Sequence, residues 1–558
     1  MAIDMTPEQR AVGEANFQKA VDHLGLNRRD FLKAGIVGAG AVGGSAAAVY
    51  FGYQSMQGRP VKAALIGGGD EGGVLAGEHN PEFLEIVAVS DIRPYNIRRI
   101  MDGDPKVALR KGLRKIYGEK ARAIRQYTDW RQILDDKDIE AVIIALPLHL
   151  HAPVAIECMK AGKHVLCEKL MARSIGQCKE MIRVARETKR VLSIGHQRHY
   201  SMLYAHAQEV IKSGILGDIK HIRALWHRNF SWPASFNSKE FEWAFDGNLQ
   251  LAAEEEGVTK PKFRDGWFQP VLKGDVEGIK AFAKEKGVDL KKYLADCGYD
   301  SVEQLVRWRL YEKTGGGLMA ELGSHQLDAA SIFLGKVKPL SVSGVGTRSF
   351  FGPGRNDREI DDHVYVTYEF PGKNYASDRN DIVVVTYSSI STNGFEQYGE
   401  CLMGTRGTMV VEAEQRVMLY TEKDPTKKGG DAKMMTVDVA TMPKGQAAAD
   451  ASSTWGGPSA SVTAARAGTA APGGPISRGY REEMEDFAYC VRTWDPKLGY
   501  DKDRDGKFQQ RLPRCHGEVA MADAIIALTA NMAMKGRSRI VFDEKWFDAD
   551  SPEVPEKA

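Results

Sequence analysis

The chain has 558 residues, more than one ordinary domain, and its 43% hydrophobic and 27% charged residues are typical of a globular protein with sizeable cores. The 76 Lys and Arg residues nearly balance the 74 Asp and Glu residues, so the formal charge of +2 provides no general field for binding nucleic acid or anionic lipid. The seven cysteines are scattered without a CxxC pair, which argues against a zinc knuckle or a disulfide framework. We expect two domains plus extensions, no nucleic-acid partner and mostly buried free thiols.

The N-terminal segment contains an arginine pair, Arg28 and Arg29, followed by an uncharged stretch at residues 34–58. This arrangement resembles a twin-arginine export signal. A transmembrane helix is the alternative, but the many glycines of the stretch make it a poor helix. We therefore expect residues 1–58 to be a leader for the twin-arginine export machinery. The protein would then reach the periplasm or the outer face of the cytoplasmic membrane, where an uncleaved leader would serve as a membrane tether.

The first domain is predicted at residues 61–195, where short β-branched runs alternate with helical stretches. This alternation is typical of a parallel sheet with crossover helices, so the fold class is α/β with an N-terminal Rossmann dinucleotide-binding domain. The predicted strands lie at residues 62–66, 86–90, 141–146, 164–167 and 191–195.

The second domain is predicted at residues 196–545 as an α+β domain with a large, open, mostly antiparallel sheet, because few helices separate its strands. Residues 229–313 form a long insertion, and residues 446–477, rich in Ala, Gly, Ser and Pro, form a flexible loop. A last helix is expected at residues 517–534. The predicted strands lie at residues 219–226, 341–347, 363–370, 381–389, 400–404 and 408–412.

Two stretches match the pattern GxGxxG, one at residues 38–43 and one at residues 67–72. Only the second follows a predicted strand and is followed, about 20 residues later, by an acidic residue, Asp91, at the end of another strand. We therefore interpret the second stretch as the nucleotide-binding turn and the first as a chance match.

The glycines of this turn let backbone N–H groups approach a pyrophosphate at a helix N-terminus. The Asp91 carboxylate would bond the ribose hydroxyls and repel a 2′-phosphate, so NAD is the expected cofactor. Arg93, two residues later, keeps NADP possible. The predicted cofactor-binding residues here are Gly67, Gly68, Gly69, Gly72 and Asp91.

A polar stripe follows the triple glycine at residues 315–317. If residues 318–334 form one helix, Glu321, His325 and Asp328 lie at i, i+4 and i+7 on one face, and most other positions are apolar. Such a stripe on a buried helix needs partners or a cavity, although a solvated face is the alternative. Spacing alone would allow Glu321 and His325 to bind a metal, but without a clear third ligand we expect none.

Two strand ends carry further motifs. The run Leu-Pro-Leu-His-Leu-His contains Pro147 and His151 where Gfo/Idh/MocA oxidoreductases commonly have a Pro-Asn pair followed by a histidine. Glu168 and Lys169 match the family's Glu-Lys-Pro motif, with leucine in place of proline. The polar stripe is similar to the family's GGG…DxGxHxxD segment, with glutamate at its first acidic position. Together with the glycine turn, these motifs resemble the Gfo/Idh/MocA family over residues 61–420 and the final helix.

The resemblance implies an NAD(P)-dependent oxidoreductase that acts on a secondary hydroxyl of a sugar, cyclitol or sugar derivative. Lys169 and His325 are the candidates for moving the hydroxyl proton, with Glu321 orienting one of them. Pro147, His151, Glu168 and Lys169 would contribute to cofactor binding. The resemblance also implies a homo-oligomer built on the second-domain sheet.

The substrate would contact Gln197 and Arg198, just beyond a strand of the Rossmann domain, and Asp328 of the stripe. A surface position is the alternative for Arg198. An exported enzyme meets little free NAD, so we expect a tightly held cofactor. Two other function classes stay open: glycoside cleavage through transient oxidation by NAD, and an inactive exported sugar-binding paralogue.

Overall fold

The structure, a computed structural model, describes residues 5–26, 51–53, 58–105, 107–232, 265–352, 358–423, 426 and 478–557. The arginine pair of the predicted leader and the predicted loop at residues 446–477 lie outside these ranges.

The first sheet is parallel and six-stranded, with the strand order β3-β2-β1-β4-β5-β6. Its central strands are apolar at nearly every position because helices cover both faces. The predicted Rossmann domain is thus confirmed, and the short edge strand β3 is an addition to the prediction. The strands are β1 (Val61–Ile66), β2 (Leu84–Ser90), β3 (Arg125–Tyr127), β4 (Ala141–Ile144), β5 (His164–Glu168) and β6 (Leu192–Gly195).

The second sheet has eight strands in the order β13-β12-β11-β7-β10-β9-β8-β14. It is antiparallel except where β7 and β10 run parallel, so the predicted mostly antiparallel sheet is confirmed. Its strands alternate buried and more exposed residues, as expected for a sheet with one face on the core. The strands are β7 (Ile219–Trp226), β8 (Ser341–Thr347), β9 (His363–Pro371), β10 (Ile382–Ile390), β11 (Tyr398–Gly404), β12 (Gly407–Glu412), β13 (Arg416–Thr421) and β14 (Ile540–Val541).

Thirteen α-helices are described, and α8 to α10 belong to the predicted insertion. They are α1 (Pro7–His23), α2 (Asp70–Glu78), α3 (Pro94–Asp102), α4 (Leu113–Tyr117), α5 (His151–Lys160), α6 (Ile175–Thr188), α7 (Met202–Lys212), α8 (Lys273–Glu285), α9 (Leu290–Asp296), α10 (Val302–Val306), α11 (Ser324–Phe333), α12 (Tyr480–Thr493) and α13 (Gly517–Gly536). Short 3₁₀ turns lie at Gly118–Ala123, Trp130–Ile133, Leu148–Leu150, Trp308–Leu310, Glu544–Phe547 and Pro555–Lys557.

The helix predicted at residues 318–334 is not continuous. A π turn at Met319–Gly323 precedes α11, which begins at Ser324. A π turn replaces the i→i+4 hydrogen bonds of an α-helix by i→i+5 bonds, a choice that the hydrophobic pattern does not specify. The turn places Glu321 at the junction between the triple glycine and α11.

Helix α1 belongs to the folded body, although its residues fall within the predicted leader. A capping box between Thr6 and Gln9 starts the helix, and Asn16 donates a 3.0 Å hydrogen bond to the carbonyl oxygen of Leu419 on the edge strand β13. The leader predicted at residues 1–58 therefore contains, besides the arginine pair, a helix that packs on the second sheet.

Helix α13 has the length and apolar composition of a membrane span, and it is the only helix in the described part of the chain that does. About 72% of its most apolar window is buried inside the fold, where it packs on β8, α6 and α11. We therefore assign it to the protein core. The seven cysteines are free and all but Cys297 are buried, as predicted.

Candidate active site

A cavity of about 810 Å³ opens along the carboxyl ends of β1, β2, β4 and β5. Gly67 and Asp91 line one end of the cavity, and Lys169, Glu321 and His325 line the other. Open α/β sheets bind ligands at this edge because the connecting loops leave a crevice there. The cavity thus joins the predicted nucleotide turn to the predicted catalytic residues.

The glycine turn fits a dinucleotide. Gly67 has φ of 102°, and a Cβ atom there would lie 2.3 Å from the carbonyl oxygen of Ala145. A Cβ atom at Gly72 would lie 2.0 Å from the carbonyl oxygen of Gly67, whereas one at Gly69 would meet no atom within 4 Å. Gly69 precedes α2 without a side-chain cap, so the first N–H groups of that helix can bind a pyrophosphate.

Asp91 is positioned by this turn. Its carboxylate accepts hydrogen bonds from the backbone N–H groups of Gly68 (2.7 Å) and Arg93 (2.8 Å) and from the side chain of Asn96 (3.0 Å). Burial raises the pKa of Asp91, and these hydrogen bonds oppose that effect. The carboxylate lies on the cavity wall, where the ribose hydroxyls of a nucleotide can reach it.

Arg93, the residue that kept NADP possible, is already paired. Its guanidinium Nε atom lies 2.8 Å from a carboxylate oxygen of Asp275 at the start of α8, and that carboxyl group is fully buried. The insertion therefore holds Arg93 and neutralises it, which favours NAD over NADP.

An acidic side chain, Asp70, stands at the N-terminus of α2, where a pyrophosphate would bind. Burial alone would raise its pKa, but Arg110 and Arg99, at 3.0 Å and 2.9 Å, hold the pKa well below the ordinary value. The two guanidinium groups compensate the Asp70 charge, so it does not prevent anion binding.

Lys169, Glu321 and His325 meet at the far end of the cavity. The Lys169 ammonium group donates a 3.0 Å hydrogen bond to the backbone carbonyl oxygen of Glu321. Burial would raise the pKa of Glu321, but Arg309, whose Nε atom lies 2.7 Å from the carboxylate, and Lys169 lower it, so Glu321 is a carboxylate. Burial, with the charges of Lys169 and Arg198, holds the pKa of His325 well below its usual range, so its imidazole is neutral.

His151 lines the cavity and also links two strand ends. Its two ring nitrogens lie 2.8 Å from the carbonyl oxygens of Leu146 and Leu170. It therefore holds the segment after β4 against the segment that carries Lys169. Pro147 begins the same turn and lines the cavity as predicted.

Glu168 is buried directly beneath Lys169. One carboxyl oxygen accepts a 3.1 Å hydrogen bond from the Lys169 backbone N–H. Burial and the nearby carboxylate of Glu71 raise the pKa of Glu168 well above its usual range.

Two predicted substrate residues, Arg198 and Asp328, do not reach the cavity, so their prediction is corrected, whereas Gln197 does line it. Arg198 turns inward, donating to the carbonyl oxygen of His325 (2.6 Å) and pairing with Glu400 (2.7 Å). It therefore anchors α11 from behind.

Asp328 lies three residues beyond His325, about 4.5 Å further along the helix axis, which takes it past the cavity wall. There it accepts a 3.1 Å hydrogen bond from His199 and pairs with Lys336. The predicted polar stripe thus ends in a buried cluster.

That cluster has the composition of a metal site. Ligand atoms of His196, Asp328 and Asp523 lie within 4.8 Å of one another. The ammonium group of Lys336 binds both carboxylates, at 2.9 Å from Asp523, and so provides the positive charge that a cation would supply.

The sequence did not predict the two arginines that line the cavity near Glu321. Arg309 follows the insertion helices and Arg228 follows β7; both line the cavity near Glu321. No spacing or motif marked them, because each reaches the site only through the tertiary fold. The π turn was the other feature that the sequence did not show.

Comparison with known families gives two matches. Residues 61–196 match the model of an oxidoreductase family described as having an NAD-binding Rossmann fold. Residues 289–410 match the model of the GFO/IDH/MocA C-terminal domain. The first match coincides with the parallel sheet, and the second runs from α9 to β12.

Curated relatives resemble only part of the chain. A protein named glycosyl hydrolase family 109 protein from Stenotrophomonas maltophilia is 29% identical over 37% of this chain and 44% of its own length. Levoglucosan dehydrogenase from Pseudarthrobacter phenanthrenivorans is 31% identical over 34% of this chain and 46% of its own length. Inositol 2-dehydrogenase from Salmonella typhimurium is 33% identical over 24% of this chain and 35% of its own length. The chain thus spans less than half the length of these relatives.

Solved structures share the fold. Levoglucosan dehydrogenase in complex with NADH aligns with a TM-score of 0.51 and 17% identity, over 87% of this chain and all of the other. Aldose-aldose oxidoreductase from Caulobacter crescentus, complexed with glycerol, aligns with a TM-score of 0.51 and 15% identity over the same shares. The family models show that residues 61–196 and 289–410 of the chain belong to the Gfo/Idh/MocA oxidoreductase family.

Proposed function

We propose that this protein is an NAD-dependent dehydrogenase that oxidises a secondary hydroxyl of a sugar, a cyclitol or a sugar derivative. The observation that carries the proposal is the meeting of Lys169, Glu321 and His325 at the end of a cavity whose other end is the glycine turn. Relatives named levoglucosan dehydrogenase and inositol 2-dehydrogenase support this substrate class.

Different residues would bind the nucleotide and move the proton. The glycine turn and Asp91 hold the nucleotide, which when bound accepts a hydride from the carbinol carbon. His325, neutral and buried, can accept the hydroxyl proton, and the Lys169 ammonium group can stabilise the developing alkoxide. Glu321 positions Lys169 through its backbone carbonyl oxygen and balances its charge.

The test uses purified full-length protein, NAD and a panel of neutral and acidic sugars and cyclitols, with NADH formation followed by absorbance. Lys169→Ala should abolish turnover and leave nucleotide bound, as measured by NADH fluorescence. A substitution distant from the cavity, Lys535→Ala on the surface, is the matched control. Retained turnover in Lys169→Ala contradicts the assignment, and no turnover by the unsubstituted protein on the whole panel favours an inactive sugar-binding protein.

Glycoside cleavage through transient oxidation is the second candidate, because two relatives carry the name glycosyl hydrolase family 109 protein. The same proton-moving residues would act on a C–H next to the oxidised carbon. Release of the aglycone from an aryl glycoside without net NADH would favour this candidate over the dehydrogenase.

Export with a resident cofactor is a further part of the proposal. The arginine pair supports export, and two contacts of the insertion with the Rossmann domain, Asp275 of α8 with Arg93 and Gly298 with His149, support slow nucleotide release. Protein purified from the exported fraction should release stoichiometric NAD(H) on denaturation. An empty preparation that needs added NAD would contradict tight binding, and absence of the protein from that fraction would contradict export.

We also propose a homo-oligomer built on the outer face of the second sheet. Val345, Tyr365 and Met403 project there from β8, β9 and β11, with 64%, 44% and 40% of their surfaces exposed. Light scattering of the purified protein tests this, and a monomer at all concentrations contradicts it.

A further inference from the structure

The cavity end that holds Lys169 contains a guanidinium group without an acidic partner. Arg228 follows β7, lines the cavity and lies 5.2 Å from the centre of the Trp226 ring. Its Nε atom is buried without a hydrogen-bond partner, and no carboxylate in the described ranges forms an ion pair with it. A desolvated cation in this state is costly unless a ligand supplies the opposite charge.

Trp226 lies between Arg228 and His325 and so determines the position of Arg228 relative to the predicted catalytic residues. The indole is buried, stacks on Tyr398 with ring centres 4.7 Å apart, and lies 5.6 Å from the imidazole of His325. Because the indole contacts both side chains, Arg228 is held one ring away from His325. Arg228 and His325 both line the cavity, so a substrate whose hydroxyl meets His325 lies near Arg228 as well.

Arg309 also lies over an indole ring, but its charge is already paired with that of Glu321. Its guanidinium group lies over Trp308, 4.3 Å from the ring centre, and its Nε atom binds Glu321. Lys169 and Arg309 thus both have acidic groups nearby, Glu321 and Glu71, whereas no carboxylate in the described ranges forms an ion pair with Arg228. Burial and the charge of Arg309 lower the pKa of Arg228 to about 10.

We propose that the substrate carries an anionic group, a carboxylate or a phosphate on a sugar or cyclitol, and that this group pairs with Arg228. This inference rests on the proposed dehydrogenase function and names its substrate class. A planar guanidinium group binds either anion through two parallel hydrogen bonds, so Arg228 acts as a specificity residue and leaves proton transfer to Lys169 and His325.

The nucleotide pyrophosphate is the competing partner for Arg228. The glycine turn and the N-terminus of α2 already offer a pyrophosphate site, whereas Arg228 belongs to the second domain beside His325. The two assignments differ in what Arg228→Gln does to nucleotide affinity.

The experiment titrates NAD-loaded full-length protein with matched sets of ligands by calorimetry. Each set contains a neutral sugar, its uronate and its phosphate in the gluco, galacto and manno series, together with inositol and inositol phosphate. Binding is measured separately from NADH formation, so a failure of the dehydrogenase proposal shows as binding without turnover. Arg379→Gln is the matched control, because Arg379 also lies over an aromatic ring, Tyr375 at 4.7 Å, but far from the cavity on the exposed connection between β9 and β10.

We expect an anionic ligand to bind at least about tenfold more tightly than its neutral counterpart. Arg228→Gln should remove this preference and leave NADH affinity unchanged, Arg228→Lys should retain part of it, and Arg379→Gln should retain all of it. A uronate preference identifies a carboxylate, and a phosphate preference identifies a sugar phosphate. Three results overturn the proposal: a neutral sugar that binds as tightly as its acid, no anionic ligand bound across the panel, or lost NADH affinity in Arg228→Gln.

Discussion

The side chain of Lys169 donates a 3.0 Å hydrogen bond to the backbone carbonyl oxygen of Glu321. Lys169 follows β5 of the Rossmann domain, and Glu321 belongs to the π turn that leads into α11. The hydrogen bond therefore joins the two domains at the point where the substrate and the nucleotide would meet.

Arg309→Gln should move the acidic limb of the pH profile. Arg309 lowers the pKa of Glu321 against the effect of burial, so its loss raises that pKa and protonates Glu321 at a higher pH. We expect the acidic limb of kcat/KM to shift upward by about one pH unit or more. Steady-state rates from about pH 4 to 8 measure the shift, with Arg379→Gln as control. An unmoved limb would show that Glu321 does not have to be ionised for activity.

Asp275→Asn should weaken the preference for NAD. Asp275 holds Arg93 by a 2.8 Å ion pair, and an amide would leave the guanidinium group free to meet a 2′-phosphate. We expect the ratio of NADPH to NADH affinity to rise about tenfold, which corresponds to roughly 1.4 kcal/mol. Fluorescence titration with each nucleotide gives the ratio. Asp296→Asn, on an exposed part of the same insertion, should leave the ratio unchanged, and an unchanged ratio in Asp275→Asn would argue against this role of Arg93.

Glu483→Gln should stabilise the protein more strongly at higher pH. Glu483 is fully buried on α12, neither carboxyl oxygen has a hydrogen-bond partner in the described structure, and burial with the nearby Glu168 and Glu71 raises its pKa well above 4.5. Above pH 4.5 the unfolded chain releases this proton while the folded chain keeps it. The contribution of Glu483 to stability is therefore complete below that pH and is lost as pH rises toward the folded pKa.

Gln has no proton to lose, so the variant should match the unsubstituted protein near pH 4 and exceed it by about 1 kcal/mol or more near pH 8. Urea denaturation at both pH values measures the difference. Glu119→Gln, at an exposed position, should show no such trend. A constant difference between the two pH values would contradict a raised pKa at Glu483.

Lys336→Met should destabilise the fold because it leaves two buried carboxylates, Asp328 and Asp523, facing each other. Loss of one partner of a buried ion pair costs about 3 to 5 kcal/mol. Lys535→Met removes an exposed partner of Glu312 and should cost about 1 kcal/mol or less. Chemical denaturation compares the two. Asp523→Asn should recover part of the loss in the Lys336→Met background, and failure to do so would show that charge repulsion is not its cause.

Much of the Rossmann domain was predictable because local periodicity determines it. The strand ends that carry Gly67, Asp91 and Lys169 follow apolar runs, and parallel strands bring their carboxyl ends to one edge. The ion pair between Arg93 and Asp275 joins residues 182 positions apart, and Arg228 reaches the cavity only because β7 lies beside β10 and β11. Contacts of this kind have no periodic signature in the sequence.

Asp328 shows a second reason why the sequence did not predict the whole site. Its helical spacing from His325 was correctly predicted, but spacing alone does not indicate how far along the axis the cavity extends. Arg198 followed a strand end as predicted and then turned into the core, where Glu400 neutralises it. In both cases the residue type suggested a ligand contact, but in the folded protein the side chain pairs with other protein groups away from the cavity.

Helix α1 packs against β13, an edge strand of the second sheet. Asn16 satisfies the carbonyl group of Leu419 on the last strand, and Tyr420 donates a 3.2 Å hydrogen bond to the carbonyl oxygen of Gln9. Proteolytic removal of the arginine pair would also remove this helix, which precedes it in the chain. The unpaired backbone groups of β13 would then be open to strand addition by another polypeptide. A form of the chain that lacks α1 would therefore associate differently from the form that keeps it.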